Sequence, residues 1–165
     1  MKLKIILFLL FISNCYSQNL VQYKFDENSF TINIPEGYEE IDASGQHFVR
    51  SIIGDDIVLI SKTIEKNPVK IINDSTLIAF YDGVNEGILK SVNGESLDSK
   101  IIKIKKTKFL KLKYKALIVE QPKIFDCLIV TLNDFTYSII FIYSEEENEN
   151  IKEMKNKIIS SLVLK

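Results

Sequence analysis

The chain has 165 residues, 46% of them hydrophobic, with 21 Lys and Arg against 22 Asp and Glu. A chain of that length buries one ordinary core without a disulfide or metal staple. A net charge of −1 gives no general pull toward nucleic acid or an anionic membrane.

Residues 1–17 have the three-part layout of a secretory signal. Lys2 and Lys4 form a positive head, Ile5 to Ile12 is an unbroken apolar run, and Ser13 to Ser17 is a more polar tail. The run falls short of the ~20 residues needed to span a bilayer. Cleavage after Ser17 would leave a single α+β domain over residues 18–165, and losing Lys2 and Lys4 would take the net charge from −1 to −3. Cleavage before Cys15 would instead give a lipoprotein anchored through that cysteine, with Asn14 in place of the usual small residue. The expected location is therefore periplasmic or secreted, with membrane attachment only if Cys15 is lipidated.

Phe30-Thr31-Ile32-Asn33-Ile34 alternates strictly, and Pro35 and Gly37 end it. His47–Ile53 and Ile57–Ile64 read as two strands joined by a tight turn at Gly54-Asp55-Asp56. Asp74–Val92 reads as a helix: Leu77, Phe80, Tyr81, Val84, Ile88 and Val92 recur at three- and four-residue spacing. Asn73 or Asp74 can cap its start and Gly94 can end it. Gly83 and Gly87 stand inside this helix, where each costs about 1 kcal/mol against alanine. With Ala79 and Ser91 they form a small-residue stripe, open to two readings: close packing within the domain, or approach of a partner helix or strand.

Four strand-like segments follow. Ile102 and Ile104 alternate with Lys103 and Lys105, and Leu110, Leu112, Tyr114, Ala116 and Ile118 alternate with Lys111, Lys113 and Lys115. Lys106 and Lys108 fall in the turn between these two segments. Alternation places the odd-numbered lysines together, opposite the apolar set. The resulting positive face is either a solvated strand surface that resists edge pairing or a dock for an acidic partner. Gln121-Pro122 is expected to turn the chain. Ile124–Leu132 is nearly all apolar, as a strand covered on both faces would be. Asn133-Asp134 is a hairpin turn, and Phe135, Tyr137, Phe141 and Tyr143 share one face of the last of these strands. That face is either core or the lining of an apolar pocket. Ser144 and Glu147 form a capping box for a final helix with Ile151, Met154, Ile158 and Leu162 as its buried stripe.

The segment Phe30-Thr31-Ile32-Asn33-Ile34-Pro35-Glu36-Gly37-Tyr38 resembles the opening strand and turn of PsbP-like domains. The final helix, ending in Ile158-Ile159-Ser160-Ser161-Leu162, resembles their close. The resemblance implies a mainly antiparallel sheet with two helices packed on it, an α/β/α sandwich. It also implies a protein that assists or docks on other proteins, with no shared catalytic residues to carry over.

The inventory of reactive side chains points the same way. His47 is the only histidine, it sits in a strand pattern, and no Gly-x-Ser-x-Gly elbow accompanies it. One histidine with Cys127 supplies too few ligands for the usual zinc site. No glycine loop is built to cradle phosphate. No enzyme activity, metal or cofactor is expected. The reading is an exported, non-catalytic protein-binding or accessory module, such as an immunity or assembly-assisting protein, whose partner is another envelope or secreted protein. The alternative is a binder of a small apolar or lipidic ligand.

Overall fold

The computed structural model describes residues 19–26, 30–144 and 149–164. The expected signal segment with Cys15, and Glu145 to Glu147 of the expected capping box, lie outside them. Ten strands and two helices follow in the order β1 (Leu20–Asp26), β2 (Phe30–Pro35), β3 (Glu39–Ala43), β4 (Gln46–Ile53), β5 (Asp56–Thr63), α1 (Asp74–Val92), β6 (Glu95–Ile104), β7 (Thr107–Ile118), β8 (Gln121–Leu132), β9 (Phe135–Tyr143), α2 (Glu149–Ser161) and β10 (Val163–Leu164).

Seven strands form one antiparallel sheet in the order β3-β4-β5-β9-β8-β7-β6. β1, β2 and β10 form a small second sheet. The α+β architecture expected from the sequence is the one observed. Each side of the large sheet carries its own core. On one side α2 brings Ile151, Met154 and Ile158, and β2 brings Phe30, Ile32 and Ile34, onto Leu128, Val130, Ile139 and Phe141. On the other side Tyr81 of α1 packs on Leu110, Leu112, Tyr114, Cys127 and Ile129. β8 contributes to both, which is why its run is apolar on both faces. Burial in apolar surroundings pushes the Cys127 thiol well above its ordinary range, so this cysteine is an inert core residue.

Turn chemistry explains the connections. Ser44-Gly45, Val119-Glu120 and Asn133-Asp134 each place both central residues at positive φ, as a two-residue type I′ hairpin requires. Gly54, at φ 62, opens the β4–β5 turn. Two expected boundaries shift. Asn93, at φ 49, is the left-handed residue that closes α1, with Gly94 just beyond it. The β7–β8 chain reversal lies at Val119-Glu120, and Gln121-Pro122 already belongs to β8. Pro122 is tolerated because it stands opposite Leu117, next to the hairpin-closing pair Ile118–Gln121. Alternate antiparallel pairs exchange no hydrogen bonds, and β9 does not extend that far.

The start of α1 is a reciprocal cap. Asn73 Oδ1 accepts from Thr76 N at 3.0 Å, and Thr76 Oγ1 accepts from Asn73 N at 3.1 Å. Two orphan amides are thereby satisfied.

Candidate functional site

The expected lysine face does not form as one surface. The β6–β7 turn pairs Ile104 with Thr107, so even positions on β6 lie opposite odd positions on β7. Lys103 therefore pairs with Lys108 on the α1 side of the sheet. Lys111, Lys113 and Lys115 point to the α2 side, together with Phe109 and Ile102. Lys105 is at the turn with φ 55, and its Nζ donates to the Leu162 carbonyl at 2.6 Å. Simple alternation within each strand missed the parity change across the hairpin.

The three β7 lysines are half-buried; Lys113 and Lys115 face acids, whereas Lys111 lies between Lys100 and Leu128. Lys113 stands between Asp98 on β6 and Asp126 on β8, and Lys115 stands opposite Glu95. A hydrogen bond from Lys100, then the charges of Lys100, Lys111 and Lys113, hold the Asp98 carboxyl below the usual range. Asp126 is buried and accepts from Lys155 of α2 at 2.8 Å. Lys113 Nζ also lies 5.7 Å from the Tyr143 ring centroid. Lys113 and Lys115 belong to a cross-strand ladder of alternating charge that includes the buried Asp126.

His47, read as an ordinary strand residue, joins a polar chain. Its Nδ1 lies 2.7 Å from Asp42 Oδ1, and its Nε2 lies 2.9 Å from the Tyr23 hydroxyl and 3.6 Å from Glu40 Oε2. Burial, followed by the Glu40 charge, pushes the Tyr23 hydroxyl up to about 12. The chain ties β1 of the small sheet to the β3–β4 hairpin. Among the described residues no group of three or more His, Cys, Asp or Glu is placed to hold a metal ion. Tyr137, Phe141 and Tyr143 of the aromatic face are each at most 1% exposed, so that face is filled as core. A cavity of about 170 Å³, lined by Val69, Ile71, Thr131, Asn133 and Asp134, is below the ~300 Å³ at which ligand pockets begin.

A different surface stands out on the α1 side. α1 runs in the same direction as β7: Asp74 at its start pairs with Lys108, and Gly94 past its end meets Tyr114. It packs on β6 and β7. Among the described residues, no helix lies over the half of this face built by β3, β4 and β5. There Ile41 lies opposite Phe48, Ile52 opposite Ile57, and Leu59 between Arg50 and Ile140. Ile41, Phe48, Ile52, Ile57 and Leu59 belong to neither core, and Ile52 is 60% exposed. Arg50 and Glu39 pair with each other within this strip, leaving it without net charge.

The helical glycines border the same region. With the direction of α1 set by those contacts, its right-handed turn carries Phe80, Val84, Gly87 and Ser91 toward the β9–β5 side, with Gly83 higher on that flank. A Cβ on Gly83 or Gly87 would meet nothing within 4 Å, so packing within the described residues does not account for them. Gly83→Ala and Gly87→Ala are each expected to stabilise the protein by about 0.5–1 kcal/mol through helix propensity. Urea denaturation checks this; a loss of stability in either variant would mean that the glycine is held close by a neighbour.

The sequence carried one signal for the open strip. β4 and β5 present apolar residues on both faces, Phe48 and Ile52 beside Val49, and Ile57 and Leu59 beside Val58 and Ile60. Such strands expect cover on both sides, yet the described residues supply only two helices.

No family model matches the sequence, and no curated protein matches it. Solved structures do match in fold. The solution structure of PsbP from the cyanobacterium Synechocystis sp. PCC 6803 superposes with a TM-score of 0.66 at 12% identity, covering 93% of this chain and 99% of that one. The Ran-binding protein Mog1p of Saccharomyces cerevisiae matches at TM-score 0.53 and 10% identity, over 90% of this chain and 96% of its own. LpqN of Mycobacterium tuberculosis, involved in cell envelope biogenesis, matches at TM-score 0.53 and 12% identity, over 88% and 90%. At these identities the likeness is one of fold, and the fold is PsbP-like, as the opening strand and closing helix implied.

Proposed function

We propose that this protein is an exported, non-catalytic module of the bacterial cell envelope that works by binding another protein. The observation that carries this reading is the apolar strip Ile41, Phe48, Ile52, Ile57 and Leu59, which joins neither core and in which Ile41 and Ile52 are exposed and the other three half-buried. Contiguous exposed apolar surface of this kind marks a place of interaction. The signal-like residues 1–17 support export, and Cys15 supplies the anchor if it is lipidated. LpqN, with the same fold, is described as acting in envelope biogenesis, which supports the location. Lys113 and Lys115 of β7 stand opposite Asp98, Asp126 and Glu95, so the strip is the stronger dock.

The test is crosslinking and pull-down from the native envelope with wild type, Ile52→Glu, and the triple reversal of Lys111, Lys113 and Lys115 to Glu. A protein that wild type retains should be lost from Ile52→Glu, which keeps the wild-type melting temperature because Ile52 is exposed. Retention by Ile52→Glu with loss from a lysine reversal that keeps the wild-type melting temperature would move the dock to β7 and overturn the strip.

A further inference from the structure

We infer that the occupant of the open half-face is a single amphipathic α-helix of the partner, lying beside α1 and completing the helical layer. This rests on the protein-binding reading above and deepens it. The space sets the first limit. β9, β5, β4 and β3 at ~4.8 Å spacing make a floor roughly 15 Å wide, and the eight residues of β4 run for about 26 Å. That floor of roughly 400 Å² is about half of the ~800 Å² per partner that a stable protein–protein interface buries. A second copy of this chain laid flat on the floor would bury that area alone, whereas a helix seated beside α1 also buries the α1 flank. A helix, about 10 Å across with its side chains, fits the width between α1 and the β3 edge, and four to five turns fit the length.

The walls set the second limit. On the α1 flank facing this floor, Gly87 and Gly83 present bare backbone with nothing within 4 Å of a Cβ position. Glycines four residues apart let a second helix approach closely, whereas a strand or loop gains nothing from that spacing. Phe80 and Val84, half-buried at the foot of the same flank, add an apolar corner where wall meets floor.

Charge sets the third limit. The ionic pair on the floor, Arg50 with Glu39, is self-neutralised. Toward the Gln46 end the floor turns polar, with Ser61 hydrogen-bonded to Gln46 at 2.9 Å and to Ser138 at 2.6 Å. The matching helix carries an apolar stripe over Ile52, Ile57, Leu59 and Phe48, small residues toward α1, and a polar end near Gln46, beneath which Ser61 is buried. Anchors at i, i+3, i+4 and i+7 are how such a helix reads a groove.

The probe is a fluorescein-labelled 15-residue peptide with leucines at i, i+3, i+4, i+7 and i+11 and alanines on one flank, followed by fluorescence polarisation against the full chain. Saturable binding is expected, with a scrambled peptide of the same composition at least tenfold weaker. Leu59→Glu and Gly87→Leu should each weaken binding at least tenfold, while Ile78→Glu on the opposite flank of α1 should leave it unchanged. Gly87→Leu is the decisive variant, because its side chain enters open space and its melting temperature should not fall. If Leu59→Glu proves unstable, Ile52→Glu takes its place. Absence of saturable binding, equal binding of the scrambled peptide, or indifference to Gly87→Leu would overturn the helix. So would a dimer in sedimentation velocity that Ile52→Glu dissociates, since a second copy would then be the occupant. Loss of the envelope partner from Ile52→Glu without peptide binding would remove the helix and leave the binding reading standing.

Discussion

Phe30→Ala is expected to destabilise the protein by about 4 kcal/mol, the range for emptying a fully buried aromatic site. Phe30 is 1% exposed, its ring stacks on Tyr137 at 4.7 Å with 4° between planes, and Phe25 meets it edge-on at 5.6 Å. It is also the residue where β2 meets both neighbours, pairing with Asp26 of β1 and Leu164 of β10. Truncation opens a cavity at the junction of the small sheet and the large one. The melting temperature should fall by roughly 10 °C or more, and amide exchange should accelerate first in β1 and β2. A loss below about 1 kcal/mol would show that the small sheet is not packed through this ring.

Lys155→Met is the second large effect, at about 3 kcal/mol, because it strands a buried carboxylate. The Asp126 and Lys155 side chains are 6% and 16% exposed, joined at 2.8 Å. Lys113 stands across from Asp126 and recovers part of the lost attraction, which keeps the effect at the low end for a buried pair. The double variant Asp126→Leu with Lys155→Met removes the unpaired charge and should return to within about 1 kcal/mol of wild type. Chemical denaturation of the two variants side by side checks this. Equal losses in the single and double variants would mean that the lysine stem, rather than the ion pair, carries the effect.

The elements with strong local patterns were legible in the sequence. α1 spans Asp74–Val92 as its periodicity predicts, because an apolar face, an Asn73 cap and an αL residue after Val92 all agree. β2, the β4–β5 hairpin and the Asn133-Asp134 turn follow from alternation and turn residues for the same reason. β3 was not legible: Glu39-Glu40-Ile41-Asp42-Ala43 is an acidic edge strand, exposed along its whole length, and only its partner β4 gives it an apolar residue to match. β10 is two residues long and exists through β2 alone.

The candidate site was less legible because it depends on pairing. The lysine face dissolved when one two-residue turn set Ile102 beside Phe109. Alternation along one strand says nothing about which side faces its neighbour's apolar set. The open strip is likewise a property of layers: Phe48, Ile52, Ile57 and Leu59 look like core in sequence, and only the position of α1 over β6 and β7 leaves them uncovered. Gly83 and Gly87 stand out in the sequence as positions needing a reason, and the structure places them on the α1 flank with open space around their Cβ positions.

The small sheet has a consequence for the order of assembly during synthesis. β2 is made early, yet Ile32 and Ile34 share their core with Ile151, Met154 and Ile158 near the opposite end of the chain. Ser161 Oγ also accepts from Asn33 N at 2.8 Å, across 128 residues. Contacts of such sequence separation form slowly. A nascent chain emerging from the ribosome therefore cannot close this side of the sheet until its last helix has been made, and until then its apolar face stays open to chaperones.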